Sequence, residues 1–213
     1  LPGAGIPVRK GVALCDAVTD ADLKHIVAAA GLMAAPVLFC GSGGLAGALT
    51  PPQRRFRDAP LPDFAVVGSQ TAISQANLTR LSQSFEIAIR SAPGAWRGPV
   101  DWAARRLAVG FDMPTLKADD ARRAINETLR EVILSRAQPE AMFVVGGDTL
   151  RSMLDAAGAT SVDVEGAWAP GIAVSRLTGG RWAGTWLYSI SGSFDDAGLI
   201  KAILQGDRCS EHP

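Results

Sequence analysis

The chain has 213 residues, 47% of them hydrophobic, and its 21 Lys and Arg balance its 21 Asp and Glu. That is an ordinary composition for a globular α/β protein of one large domain or two small ones, and a net charge of zero argues against a nucleic-acid partner. No apolar run is long enough to span a bilayer and the start is not signal-like, so a soluble, cytoplasmic protein without a membrane partner is expected. Cys15, Cys40 and Cys209 are odd in number and form no CxxC pair, which supports neither a disulfide framework nor a zinc site. Cys15 and Cys40 read as small hydrophobes inside strands.

In chain order, residues 1–10 carry two prolines and two glycines and read as a loop or an edge. Residues 12–18 read as a buried strand, and Thr19 with Asp22 three residues later forms a capping-box-like start for a helix that runs to about Gly31. His25 lies on that helix in an exposed or cap-like role. Residues 36–40 read as the next strand; it ends in Gly41-Ser42-Gly43-Gly44, and the helix that follows must stop at Pro51-Pro52. From there to Pro62 the chain turns to prolines and charge, including Arg54, Arg55, Arg57 and Asp58, which marks a linker and a domain boundary. The expected division is 1–58 and 59–213.

Residues 64–67 read as a buried strand that stops at Gly68-Ser69-Gln70-Thr71, followed by a helix with Ile73, Leu78 and Leu81. Phe85, Ile87 and Ile89 alternate with polar or small residues, the period of a half-exposed strand near a sheet edge. A helix is expected over residues 100–109. A longer amphipathic helix after Asp119-Asp120 places Ile125, Leu129, Val132 and Ile133 on one stripe, with Arg136 near its end to suit the helix dipole. Met142-Phe143-Val144-Val145 is a short apolar run that stops at Gly146-Gly147, where Asp148 and Thr149 read as helix-capping residues. Residues 162–164, 172–177 and 182–190 read as three further strands. The last ends in Ser191-Gly192-Ser193-Phe194-Asp195-Asp196, where Asp195 or Asp196 can cap a final helix, and residues 206–213 read as a polar end.

Strands alternating with helices predict an α/β fold, a three-layer, mostly parallel sheet with helices on both faces. In such sheets ligands sit outside the carboxyl ends of the strands. The glycine turns at Gly41, Gly68, Gly146 and Gly192 would all lie there, and the last three could line one crevice. Each can be a plain strand-to-helix connection. Together, their backbone N–H groups, the helix starts and the hydroxyls of Ser69, Thr71, Thr149, Ser191 and Ser193 would converge on an anion such as phosphate. No P-loop, dinucleotide fingerprint or G-x-S-x-G is present, two histidines leave little for a hydrolytic triad, and no cluster has metal-ligand spacing. Mg²⁺ would have to arrive with a nucleotide.

Three motifs, Val66-Val67-Gly68-Ser69-Gln70-Thr71, Val144-Val145-Gly146-Gly147-Asp148-Thr149 and Ser191-Gly192-Ser193-Phe194, appear in this order together with Gly41-Ser42-Gly43-Gly44-Leu45 and Pro170-Gly171-Ile172. In these the chain resembles the C-terminal half of the four-carbon acid sugar kinases, formerly a domain of unknown function. The resemblance implies a nucleotide-binding domain over 59–213 in which Ser69, Gly146, Gly147, Asp148, Thr149 and Gly192 contact ATP, with Mg²⁺ alongside. It makes 1–58 the end of an acid-sugar-binding domain and linker, so that the chain is either a fragment or a shortened protein. The implied activity is phosphorylation of a four-carbon acid sugar of the threonate, erythronate or 3-oxo-tetronate type, with ATP and ADP as the other partners and a homo-oligomer as a possible state. The other reading is a nucleotide- or sugar-phosphate-binding module without turnover. Asp148 and Asp195 are candidate bases within the chain, although the true base is expected on the part that precedes it. The family usually carries Lys-Ser-Gly-Gly-Phe-Gly at the last turn. Here Ile190-Ser191-Gly192-Ser193-Phe194-Asp195 stands instead, which removes a phosphate-neutralising charge.

Overall fold

The computed structural model describes residues 11–50, 58–68, 72–91, 94–113, 116–169, 171–193 and 197–205. The chain divides into two units, Leu1–Gln53 and Arg54–Pro213. In the first, helix α1 (Asp20–Gly31) starts at the expected capping box: Asp22 N–H donates to the Thr19 hydroxyl at 3.3 Å, and Thr19 N–H donates back to the Asp22 carboxylate at 2.8 Å. The hydrogen bonds from Thr19 and from the Val18 N–H hold the Asp22 carboxyl below its ordinary value. His25 is exposed on this helix, and α2 (Gly43–Leu49) follows Ser42.

The two strands expected in this unit do not form. Residues 12–18 and 36–40 pair with no ladder, and Val12, Leu14, Val18 and Leu38 are at least 94% exposed. An apolar run is buried only if neighbours cover it, and neither α1 nor α2 has a buried residue of its own. Cys15 and Cys40 accordingly stand exposed as free thiols rather than inside strands. Gly41 therefore ends no strand. The arginines at 54, 55 and 57 lie outside the described residues.

The second unit contains strands β1 (Phe64–Val67), β2 (Glu86–Ser91), β3 (Ala95–Trp96), β4 (Leu107–Asp112), β5 (Ala141–Val145), β6 (Ser161–Ala169), β7 (Ile172–Thr178) and β8 (Trp186–Ile190). Its helices are α3 (Ala72–Leu81), α4 (Ala118–Ser135), α5 (Gly147–Ala157) and α6 (Ala197–Gln205). The strands form one sheet in the order β3-β2-β4-β1-β5-β8-β7-β6. Strands β2, β4, β1, β5 and β8 run parallel, whereas β3, β7 and β6 pair antiparallel with their neighbours. This is the mostly parallel, three-layer α/β sheet that the alternation of elements predicts.

The central strands are buried on both faces, as the unbroken apolar runs require. Ala65, Val67, Phe143 and Val145 pack with Leu78 and Leu81 of α3 and with Ile200, Ile203 and Leu204 of α6. On the other face Phe64, Val66, Met142 and Val144 pack with Leu129 and Val132 of α4 and Met153 of α5. No helix of the described residues is long and apolar enough to cross a membrane.

Two further expectations are corrected here. The helix expected over residues 100–109 is a turn followed by β4, which inserts between β1 and β2. Trp102, Ala104, Leu107 and Ala108 imitate a helical period, but Leu107, Ala108, Val109 and Phe111 are buried on alternate sides of a strand, where a β-branched and aromatic run packs well. Trp182 belongs to the turn before β8, not to the strand; its ring is buried edge-on against Phe64, with ring centroids 5.5 Å apart.

Polar side chains brace this core from within. Arg106 donates to Pro62 O at 3.1 Å and to Leu204 O at 2.9 Å, and lies over the Phe85 ring. Burial pulls its guanidinium below the ordinary arginine value, as it does for Arg136. At the far end of α5, Gly158 takes a left-handed φ of +67° and the Arg181 N–H donates to Ala157 O at 2.8 Å. There the β7–β8 turn sits so close that a Cβ on Gly180 would fall 2.2 Å from Ala157 O.

Tyr188, 1% exposed, donates its hydroxyl toward the carbonyls of Ala59 and Pro60, each 3.2 Å away, and so ties β8 to the segment before β1. Burial pushes its phenol up to about 12 from an ordinary 10.0. Below pH 10 the phenol is neutral folded and unfolded alike. Above it the unfolded chain loses the proton first, so stability should fall between about pH 10 and 12, by roughly 2–3 kcal/mol in all. Denaturant midpoints of the wild type and of Tyr188→Phe across that range check this: the variant starts about 1 kcal/mol lower and lacks this part of the alkaline fall.

Candidate nucleotide-phosphate site

Strands β1, β5 and β8 lie side by side, and their register pairs Val67 with Val145 and Val145 with Ile190. The chain therefore leaves the sheet at the same level three times over, at Gly68, Gly146 and Ser191. Gly146 N–H donates to Ile190 O at 2.9 Å and ties two of these exits together. The Gly146 backbone adopts φ +100°, open to glycine but strained for other residues, and from there the chain enters α5 directly.

Here the structure corrects a detail of the sequence reading. Gly146 itself is the N-cap of α5 and no side chain caps the helix, so Asp148 and Thr149 are first-turn residues rather than caps. The first N–H groups of a helix have no partner within it, and an uncapped start leaves them free for an anion, aided by the helix dipole. Among the described residues a Cβ on Gly147 would meet no atom within 4 Å, which leaves open space in front of that turn. Asp148 is exposed in the same turn.

Thr149 has a different place. It is 4% exposed, and a Cβ on Gly68 would lie 2.3 Å from its hydroxyl oxygen. Its side chain is thus wedged against the end of β1 and sets the spacing between the two turns, which requires glycine at position 68. At the third turn the carbonyl of Gly192 lies 3.4 Å from the Ser74 hydroxyl of α3. The hydroxyls of Ser191 and Ser193 are bonded to each other at 2.9 Å, and Ser193 N–H also points to Ser191 Oγ. Ser69, Thr71 and Asp195 lie outside the described residues. The structure thus brings Gly146, Gly147, Asp148, Thr149 and Gly192 to neighbouring strand ends.

One carboxylate at this edge escaped the sequence reading. Asp112 ends β4, next to β1, and is ion-paired with Arg97. A helix expected over 100–109 leaves no strand end for it to occupy. The signal that could have found it is the apolar run at 107–111 broken by Asp112, as the runs of β1 and β5 are broken by glycine.

No protein-family model matches the chain. Over 194 residues it is 28% identical to a D-threonate kinase of Cupriavidus necator, covering 78% of this chain and 47% of that protein. Over 215 residues it is 25% identical to a D-threonate kinase of Bordetella bronchiseptica, covering 92% and 53% respectively. Among solved structures it is similar to a domain of unknown function from Bordetella bronchiseptica, crystallised with bound citrate as a domain-swapped dimer: TM-score 0.50, 25% identity, 89% of this chain and 51% of that one. The chain spans about half the length of the curated relatives it matches. The chain is thus similar to two D-threonate kinases over about half of their length, and carries its three glycine turns at adjacent ends of one sheet.

Proposed function

We propose that the chain is part of an ATP-dependent kinase that phosphorylates a four-carbon acid sugar of the threonate, erythronate or 3-oxo-tetronate type. Residues 59–213 bind the nucleotide, and residues 1–58 are the end of the acid-sugar-binding domain with its linker. The observation that carries this reading is the uncapped start of α5, opened by Gly147 and flanked by two further turns at the same level.

Phosphoryl transfer asks the protein mainly for positioning and charge stabilisation, which such turns supply. The backbone N–H groups of Gly147, Asp148 and Thr149 hold the phosphates, and Ser69 and Gly192 are further contacts of the nucleotide. The Thr149 side chain acts as a spacer and keeps the Gly68 turn at its distance. Mg²⁺ would come with the nucleotide and supply positive charge between phosphates; the exposed Asp148 is the described carboxylate that could lie beside it. The base that accepts the proton of the sugar hydroxyl belongs to the part of the enzyme that precedes this chain. The cytoplasm is its expected place. The domain-swapped dimer of the Bordetella structure supports a homo-oligomer, which light scattering would show.

Titration calorimetry with ATP and with ADP tests the binding half of this reading; no heat from either at millimolar concentration overturns it. A coupled assay with threonate and erythronate then tests turnover. A second reading, binding without turnover, is favoured by the last turn, where Ile190 stands in place of a lysine and the Ser191 and Ser193 hydroxyls satisfy each other. ADP binding with no ATP consumption in the presence of either acid, by this chain joined to an acid-sugar-binding half, would select it.

A further inference from the structure

The row of parallel strand ends that holds the three turns continues in one direction only. Past β8 the sheet turns antiparallel: Ile172, the first residue of β7, is paired with Ile190, so an amino end lies beside the Ser191 turn. Past β1 the row goes on through the carboxyl ends of β4 and β2. A ligand anchored by its phosphates at Gly146–Thr149 thus has parallel strand ends to extend along only toward β4.

Asp112 stands at that end. Val67 is paired with Gly110, so Asp112 lies one residue further out than the level of Gly68. Its Oδ2 is bound by Nη2 of Arg97. Arg97 is itself fixed, its Nε donating to Ser91 Oγ at 2.9 Å and its backbone N–H to Ile89 O at 2.9 Å. Oδ1 of Asp112 has no partner among the described residues, and the side chain is 39% exposed. The result is a carboxylate held in one orientation with one oxygen to spare.

We propose that Asp112 binds the ribose of the nucleotide, its free oxygen accepting hydrogen bonds from the vicinal 2′- and 3′-hydroxyls. The proposal rests on the phosphates lying at the Gly146–Thr149 turn. Strands in a sheet are about 4.8 Å apart, so β4 lies roughly 10 Å from β5 across β1. That is comparable with the reach from a bound phosphate of ADP to its ribose diol. An ionised carboxylate only accepts, and a vicinal diol offers two donors to it. A bare carboxylate this close to phosphates would repel them; the Arg97 guanidinium offsets its charge and leaves its acceptor oxygen in place.

The test is titration calorimetry on the full chain with ADP, 2′,3′-dideoxy-ADP and inorganic tripolyphosphate, for the wild type, Asp112→Ala and Asp112→Asn. The wild type should bind ADP about tenfold or more tighter than the dideoxy analogue. In Asp112→Ala that preference should vanish, with ADP falling to the dideoxy affinity and tripolyphosphate binding retained. A wild type that does not distinguish the two nucleotides, or an Asp112→Ala protein that still does, overturns the assignment and leaves the phosphate site standing. Loss of tripolyphosphate binding in both variants gives Asp112 a structural role and also overturns it. A wild type that binds none of the three ligands overturns the phosphate site as well.

Discussion

Gly147→Val should lower the affinity for ADP about a hundredfold or more and leave the melting temperature almost unchanged. The first-turn N–H groups of α5 each offer a charge-assisted hydrogen bond worth about 1.5–3 kcal/mol to a phosphate, and the valine methyls would stand where the phosphate approaches. The fold should tolerate them, because the Gly147 backbone is not in the left-handed region and its Cβ position has no neighbour within 4 Å among the described residues. Calorimetry with ADP beside a thermal melt separates the two effects. Unchanged affinity would mean that this turn is not where phosphates bind. The neighbouring Gly146→Val is a poorer probe, since forcing valine to φ +100° adds roughly 1–3 kcal/mol of backbone strain to any loss of binding.

The second large effect is on stability. Arg136→Met should cost about 2–4 kcal/mol, because it leaves the carbonyls of Trp102 and Ala104 without this donor and Asp63 O with the Leu107 N–H alone. Arg136 is 7% exposed; Nη1 donates to Trp102 O at 3.0 Å and Ala104 O at 2.9 Å, and Nη2 donates to Asp63 O at 3.2 Å. Its guanidinium also lies over the Phe64 ring, 5.6 Å from the centroid. One side chain thus joins the end of α4, the turn before β4 and the start of β1. Equilibrium denaturation in urea measures the loss, and a shift below about 0.5 kcal/mol would show these bonds to be dispensable. Lysine should restore little, since an ammonium cannot reproduce the planar fork of donors.

Arg136 also shows where sequence reasoning stops. Its position at the end of an amphipathic helix suggests a charge complementing the helix dipole; it is the C-cap of α4, but its guanidinium is bonded to carbonyls outside that helix. That it would be buried and bonded to three carbonyls depends on loops that arrive from residues 63 and 102–104, contacts that no local pattern records. The same division runs through the fold. Strands β1 and β5 were legible because their apolar runs are buried on both faces and end at glycine. Helix α4 was legible because its apolar stripe keeps the helical period over many turns.

Misreadings occurred where the same local signal has two outcomes. Residues 100–109 carry a short apolar spacing compatible with helix or strand, and only the vacancy between β1 and β2 decides for the strand. Residues 12–18 and 36–40 have the composition of strands, but composition does not supply the partner that burial needs. At the site, the glycines and their order along the chain pointed to the three turns. The capping residue did not follow from the sequence, because the left-handed Gly146 takes the place that Asp148 or Thr149 would otherwise fill. The wedge of Thr149 against Gly68 is likewise a distance between elements about eighty residues apart, visible only once both strands are side by side.

The clamp at the far end of α5 has a mechanical consequence. An anion drawn to the start of a helix pulls on it along its axis, and a helix free to slide would absorb part of that attraction as displacement. Here the carbonyl of Ala157 is caught by the Arg181 N–H and the β7–β8 turn is seated against Gly158, with no room even for a methyl group on Gly180. The helix is a strut with its foot fixed. The charge at its tip therefore stands in position before any ligand comes, and capture of phosphate at this end of α5 should proceed in a single kinetic step without a slow rearrangement behind it.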